Sequence, residues 1–295
     1  MSPDTPPKGP AGESPRLWRK IGIASAIMMA SIFLSRVMGL IREMVIAGVA
    51  GADTAVDAYR VAFVVPEILN HILASGFLSV TFIPIFSGYL AEKRDDEGWH
   101  VFSLILTVFG AFLLVLVLVA EIFAPSLIGL LAPGRTDPVF LAMAVRMTRI
   151  ILPAQVFFFA GGLLMAVQFA REQFFIPALA PLVYNLGIIL GGVLLAAFCG
   201  MEGFAWGVLG GSLVGNFAIQ IWGARRIGMH FAPAWQWRHP DLWRYLRLTL
   251  PLMFGLTMMF STEIFTKFFG SYLPPGSIAW IEYAMRIMLM LVAFF

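Results

Sequence analysis

The chain has 295 residues, 60% of them hydrophobic and only 13% charged, with a mean hydropathy of +0.86. That composition excludes an ordinary water-soluble domain and a disordered chain, and at roughly 20 residues per span it provides for about eight crossings in one all-α, polytopic membrane helix bundle. The net charge of +3 is spread over membrane-flanking loops, which argues for orientation in a bilayer and against a nucleic-acid partner. The single cysteine, Cys199, excludes an internal disulfide and a thiolate metal cluster.

In chain order, residues 1–20 carry five prolines among Lys8, Arg16, Arg19 and Lys20 and read as a disordered cytoplasmic leader. The apolar run that starts at Ile21 is too long for a cleavable signal and reads as a retained first helix. Hydrophobic segments then fall at 21–48, 56–91, 100–123, 138–168, 175–198, 203–223, 246–270 and 277–295. The second is too long for one straight span, and Pro66 and Pro84 predict a kink there; Pro153, Pro181 and Pro251 predict breaks in later spans. With the N-terminus inside, twelve basic residues lie on the inner side, from Lys8 to Arg247, and only Arg135 lies outside. The stretch around Trp235, Trp237 and Trp243, with its arginines, predicts an amphipathic connector on the inner surface. Gly187 and Gly191, and Gly207, Gly211 and Gly215, predict closely packed helices.

Charges inside spans carry the functional signal, because each costs roughly 2.5 to 3.5 kcal/mol at the centre of a hydrocarbon layer unless water, a partner or a ligand compensates it. The first helix holds Arg36, Arg42 and Glu43. On the second, Asp57, Arg60, Glu67, His71 and Ser75 share one stripe at about 100° per residue, the pattern of a cavity-lining helix. Glu263 with Lys267 and Glu282 with Arg286 stand at the spacing of self-neutralising helix pairs, while Arg146 and Arg149 lie near the start of a span, from which they can reach water. Arginine binds phosphate oxygens through a planar fork and never loses its charge, so Arg36, Arg42 and Arg286 point to a phosphate or pyrophosphate ligand. No phosphate-binding glycine loop, nucleophile elbow or zinc-protease helix accompanies them, and His71, His100, His230 and His239 lack metal-ligand spacing. The chain therefore reads as a helix bundle that holds an anion and not as an enzyme, with neither a metal nor a cofactor.

The run Ser35-Arg36-Val37-Met38-Gly39-Leu40-Ile41-Arg42-Glu43, then Ala55-Val56-Asp57-Ala58-Tyr59 and Gly76-Phe77-Leu78-Ser79-Val80-Thr81-Phe82-Ile83-Pro84-Ile85, closely resembles the opening of the MurJ/MviN lipid II flippases. These belong to the multidrug/oligosaccharidyl-lipid/polysaccharide exporter superfamily. The likeness continues in Ala132-Pro133-Gly134, Pro153, Ile176-Pro177-Ala178 and Tyr283-Ala284-Met285-Arg286. It implies a multi-pass protein of the bacterial inner membrane, with a cytoplasmic N-terminus, that moves an undecaprenyl-pyrophosphate-linked peptidoglycan precursor outward by alternating access for cell wall synthesis. Family members have about fourteen helices. The resemblance thus lays the chain out as a leader (1–20), a six-helix transport lobe (21–223), a cytoplasmic connector (224–245) and the first two helices of an incomplete second lobe (246–295).

The implied substrate-binding set is Arg36, Arg42, Glu43, Asp57, His71 and Arg286. Coupling falls to the membrane potential or to a monovalent cation, with Glu263 and Thr266 as candidates. The chain departs from the family in carrying His71 for a second-helix arginine, Ser75 and Met285 for acids, Leu289 for a further acid and Thr266 for an aspartate. Those departures leave room for another polyprenyl-linked glycan or an amphipathic drug as cargo, and the length for a truncated, non-transporting interaction protein. The implied partners are lipid II or a related lipid, the membrane, cell-wall synthesis proteins and a second half-transporter.

Overall fold

The computed structural model describes residues 15–73 and 81–292. Among these the secondary structure is helical, and its elements map onto the eight hydrophobic segments: α1 (Pro15–Ala50); α2 (Thr54–Ala62), α3 (Val64–Leu73) and α4 (Ile83–Ala91); α5 (Asp95–Leu131); α6 (Pro138–Ile151) and α7 (Ala154–Ala170); α8 (Phe175–Cys199); α9 (Glu202–Gly211), a π-helical turn (Ser212–Ala218) and α10 (Ile219–Arg226); α11 (Pro240–Gly270); and α12 (Ser277–Val292). Four stretches, 95–131, 138–170, 175–199 and 202–226, are long and apolar enough to cross a membrane on length and composition alone. This is a multi-pass membrane bundle.

The leader and the connector differ from the sequence expectation, and α5 outruns its expected segment, 95–131 against 100–123. α1 begins at Pro15, so the last six residues of the expected leader are helical, while residues 1–14 lie outside the described residues. Proline at the first helical position loses no hydrogen bond, because the first turn's N–H groups have no intrahelical partner. The expected amphipathic connector over 224–245 is shorter and irregular: α10 runs through Arg226, and α11 starts at Pro240 with His239 as its N-cap. Gly228, at φ +85°, stops α10, and Pro240 sits at the first position of α11, where its missing N–H costs nothing.

The long second segment breaks as expected, and the break has a local cause. Pro66 cannot donate to the carbonyl of Ala62, and that carbonyl instead accepts from the Thr148 hydroxyl at 3.3 Å. The helix restarts beyond Phe63, whose carbonyl accepts from Glu67 N–H at 2.8 Å. Pro153 separates α6 from α7 in the same way. At Pro181, α8 continues, and the nearby Ala178 carbonyl takes a 2.6 Å hydrogen bond from Ser31 of α1. Pro251 leaves α11 unbroken.

α8 packs between α1 and α9, α2 lies on α6 and α12, and α11 crosses α3, α5 and α12. The glycine ladders do what their spacing predicts. A Cβ on Gly191 would stand 2.4 Å from the Gly207 Cα, and one on Gly187 2.5 Å from the Gly211 Cα, so α8 and α9 touch through their backbones. Gly39, by contrast, faces open space. α5, 37 residues and about 55 Å long, separates two groups of loops. At one end loops 51–53, 132–137 and 271–276 meet; at the other, Arg171 pairs with Asp95 at 2.6 Å and Tyr89 donates to Asp241 at 2.5 Å. Arg146 and Arg149 are exposed and bond to Glu202 (3.0 Å) and to the Glu121 carbonyl (3.1 Å) on neighbouring helices.

Candidate functional site

The charged residues of the first, second, seventh and eighth hydrophobic segments meet in one connected network. Glu43 of α1, 6% exposed, is its centre. Its carboxylate accepts from Arg42 Nη2 at 2.9 Å and from Arg60 Nη2 at 2.5 Å, and Arg286 Nε approaches to 3.9 Å. Arg60 of α2 turns its Nε to Glu282 of α12 at 3.2 Å. Glu282 also pairs with Lys267 of α11, whose ammonium lies 3.7 Å from Glu263 one turn before it. Glu67, on α3, lies within electrostatic reach of Glu263, Lys267, Arg286 and Arg42. Four cations, Arg42, Arg60, Lys267 and Arg286, thus meet three carboxylates, Glu43, Glu263 and Glu282, in direct ion pairs, with Glu67 close by. Burying any of them alone would be costly; together they compensate one another.

Not every cation is equally enclosed. Arg60 and Lys267 have only 6% and 2% of their side-chain surface exposed, whereas Arg42 keeps 16% and Arg286 55%. Arg42 is held by both arms of its fork, Nη2 on Glu43 and Nη1 on the Asn185 side-chain oxygen at 3.1 Å. Asn185 is itself fixed by donating to the Pro181 carbonyl at 2.8 Å. Arg36 is exposed and has no ion pair among the described residues. It borders a cavity of about 260 Å³ between α1 and α8, with Ser31, Ser35, Pro177 and Pro181.

The sequence-derived set is therefore only partly assembled. Arg42, Glu43 and Arg286 converge; Arg36 stands seven residues from Glu43 on α1 and joins a different cavity. Asp57 does not line an open face. It is fully buried, accepts from Gly276 N–H at 2.7 Å and Ala279 N–H at 2.9 Å, and takes Arg135 Nη2 at 2.8 Å. It thus caps the N-terminus of α12 from a helix more than two hundred residues away, neutralising donors that a helix start cannot satisfy internally. The expected stripe on the second segment is also corrected. Asp57 and Arg60 are buried against α12, and His71 bonds through Nδ1 to the Glu67 carbonyl at 2.8 Å while its ring stacks on Phe260 at 4.5 Å. Ser75 lies outside the described residues, as does the side chain of Leu289.

The expected Glu282–Arg286 helix pair gives way to cross-helix partners, because Arg60 and Lys267 bring their charges directly to Glu282. Of the ion-coupling candidates, Glu263 serves Lys267, and the Thr266 hydroxyl donates to its own helix at the Thr262 carbonyl, 2.8 Å away. Arg60, Lys267 and Glu282 were visible in the sequence as charges inside apolar spans, but their mutual pairing was not. Asn185 left a fainter mark, a polar side chain one turn after Pro181.

The family model for "Lipid II flippase MurJ" matches residues 46–295. The chain belongs to this family. Among curated relatives it is 31% identical over 257 residues to the "Probable lipid II flippase MurJ" of Buchnera aphidicola subsp. Acyrthosiphon pisum, covering 86% of this chain and 50% of that protein. It is also 31% identical over 262 residues to the "Lipid II flippase MurJ" of Burkholderia cenocepacia, covering 86% and 51%. The chain thus spans about half the length of the curated relatives it matches. Among solved structures it superposes on "Lipid II flippase MurJ, inward closed conformation" with a TM-score of 0.74 at 24% identity, over 90% of this chain and 55% of that one. A second solved structure, "Crystal structure of MATE in complex with Br-NRF", gives a TM-score of 0.61 at 17% identity, over 92% and 62%. Both likenesses bear on the fold, and they place this MurJ-family chain in the same helical-bundle architecture.

Proposed function

We propose that the protein carrying this chain is an inner-membrane flippase that moves a polyprenyl-pyrophosphate-linked peptidoglycan precursor, lipid II, across the bilayer by alternating access. The observation that carries the reading is the gathering of Arg42 and Arg286, from α1 and α12, at partly open positions around a single carboxylate. Two guanidinium forks on different helices suit a ligand with two phosphate groups, and an arginine keeps its charge throughout a transport cycle. Arg36, which has no ion pair among the described residues and borders a cavity on the same helix, is the candidate for the first contact with the headgroup.

In this reading the Asp57 end is the outer end. There Asp57, Arg135 and Gly276 tie the first six segments to α12, and Tyr283 donates to the Gly51 carbonyl at 3.0 Å. These contacts hold that end shut, so outward opening requires α12 to leave the Asp57 carboxylate. The basic loops at the other end then face the cytoplasm, as the positive-inside rule requires.

The test is rescue of cells depleted of their own lipid II flippase by the gene product carrying this chain. Rescue is expected, and Arg42→Ala or Arg286→Ala should abolish it at unchanged protein level. Undiminished rescue by both variants would refute the pyrophosphate role. Failure of the well-expressed parent favours a different polyprenyl-linked cargo.

A further inference from the structure

The arginines that the pyrophosphate reading relies on already have an anion beside them: Glu43 bonds Arg42 and stands near Arg286. It takes Arg42 Nη2 at 2.9 Å and stands 3.9 Å from Arg286, so an incoming anion has to compete with a carboxylate attached to the site. A carboxylate displaced into an apolar interior with no partner would cost several kcal/mol, which normally makes such an exchange prohibitive. Here it does not. Glu43 is also held by Arg60 through both oxygens, at 2.5 and 3.5 Å, and Arg60 is itself buried, only 6% exposed. Letting go of Arg42 and Arg286 leaves Glu43 on Arg60, while Glu282 remains on Lys267.

We propose that Glu43 is a specificity-determining residue, a tethered competitor that admits diphosphate-bearing lipids and rejects lipids with a single phosphate. Each of the four cations already stands within 4 Å of a carboxylate, so the cluster is compensated before any ligand enters. A single phosphate has one phosphorus centre to set against two forks on different helices, so in displacing the carboxylate it gains little. A diphosphate brings two phosphorus centres, enough oxygens to engage the Arg42 and Arg286 forks at once, and more charge than the carboxylate it displaces. The distinction matters in a membrane where single-phosphate phospholipids vastly outnumber any carrier lipid. Asn185, which holds the second arm of Arg42, keeps the fork oriented during the exchange.

The inference rests on the pyrophosphate reading, and one experiment separates the two. Binding of geranylgeranyl diphosphate and geranylgeranyl monophosphate, which share a tail, is measured calorimetrically on the detergent-solubilised chain near neutral pH. The parent should prefer the diphosphate by about tenfold, the difference expected from one additional charge-assisted hydrogen bond. Glu43→Gln should bind the monophosphate more tightly and shrink that preference to about twofold or less, while Glu43→Asp retains it. The double variant Glu43→Gln/Arg60→Gln removes the buried pair together and should behave like Glu43→Gln, which covers the case in which the single variant does not fold. A parent that prefers the diphosphate, with the same preference in Glu43→Gln or in the double variant, overturns the role of Glu43 and leaves the pyrophosphate reading intact. A parent that binds neither probe overturns both.

Discussion

Asp57 and Glu43 are both buried carboxylates, and both reach α12 from the first two helices, yet they are satisfied by different chemistry. Asp57 is filled by two backbone N–H groups and one guanidinium, in a pocket with no exposed edge. Glu43 is filled by side chains alone, and two of its three arginine neighbours retain exposed surface. A backbone donor at a helix start has no alternative partner and fixes geometry; a guanidinium with several donors can trade one anion for another. The comparison teaches that of two acids equally prominent in the sequence, one builds the closed end of the bundle and the other occupies an exchangeable site.

The contrast can be broken first at Asp57. Asp57→Ala should cost about 2 to 4 kcal/mol, because the half-buried Arg135 keeps only the Pro274 carbonyl as partner and the α12 N-terminus loses its acceptor. Thermal unfolding in detergent measures it, and a loss under about 1 kcal/mol would mean that the cap is dispensable. Next comes the backbone on the same side. Gly276 has φ +87°, and a Cβ there would lie 2.3 Å from the Ala52 carbonyl oxygen, so Gly276→Ala should destabilise by about 2 to 3 kcal/mol in the same assay.

On the other side of the comparison the effects on stability are smaller and the effects on function larger. Glu282→Gln should cost about 2 kcal/mol, since Lys267 keeps Glu263 and Arg60 keeps Glu43. A loss as large as that of Asp57→Ala would show that this network is as rigid as the cap. Arg36→Gln should change stability by less than about 0.5 kcal/mol, as expected of an exposed side chain, while reducing rescue of flippase-depleted cells. Unchanged rescue would remove Arg36 from the transport path.

Much of the fold was legible in the sequence. Hydrophobic runs and turn residues located the eight segments, most ends within three residues and the rest within eight, since burial in hydrocarbon demands long apolar helices whatever their neighbours. The glycine ladders announced the α8–α9 contact for the same local reason: four-residue spacing places them on one face. Legibility failed where a residue's role depends on a partner far along the chain. The stripe from Asp57 to His71 shares a helical face, but Pro66 interrupts that helix, and α12 arrives to bury its first half. Glu282 and Arg286 have the spacing of a helix pair, yet Arg60 and Lys267 offer closer partners from other helices.

The sequence by itself determined that this is a polytopic helical bundle of the MurJ type and that cations are embedded within it, because composition, periodicity and the cost of a charge in hydrocarbon are properties of short segments. Only the tertiary structure decided which of those cations are already spoken for. Electrostatic compensation acts over a few ångströms in space, between helices that the sequence sets more than two hundred residues apart. It is that juxtaposition which makes Asp57 a helix cap, gathers Glu43, Arg60, Glu282 and Lys267 into one network, and leaves Arg36, Arg42 and Arg286 as the cations with surface to offer.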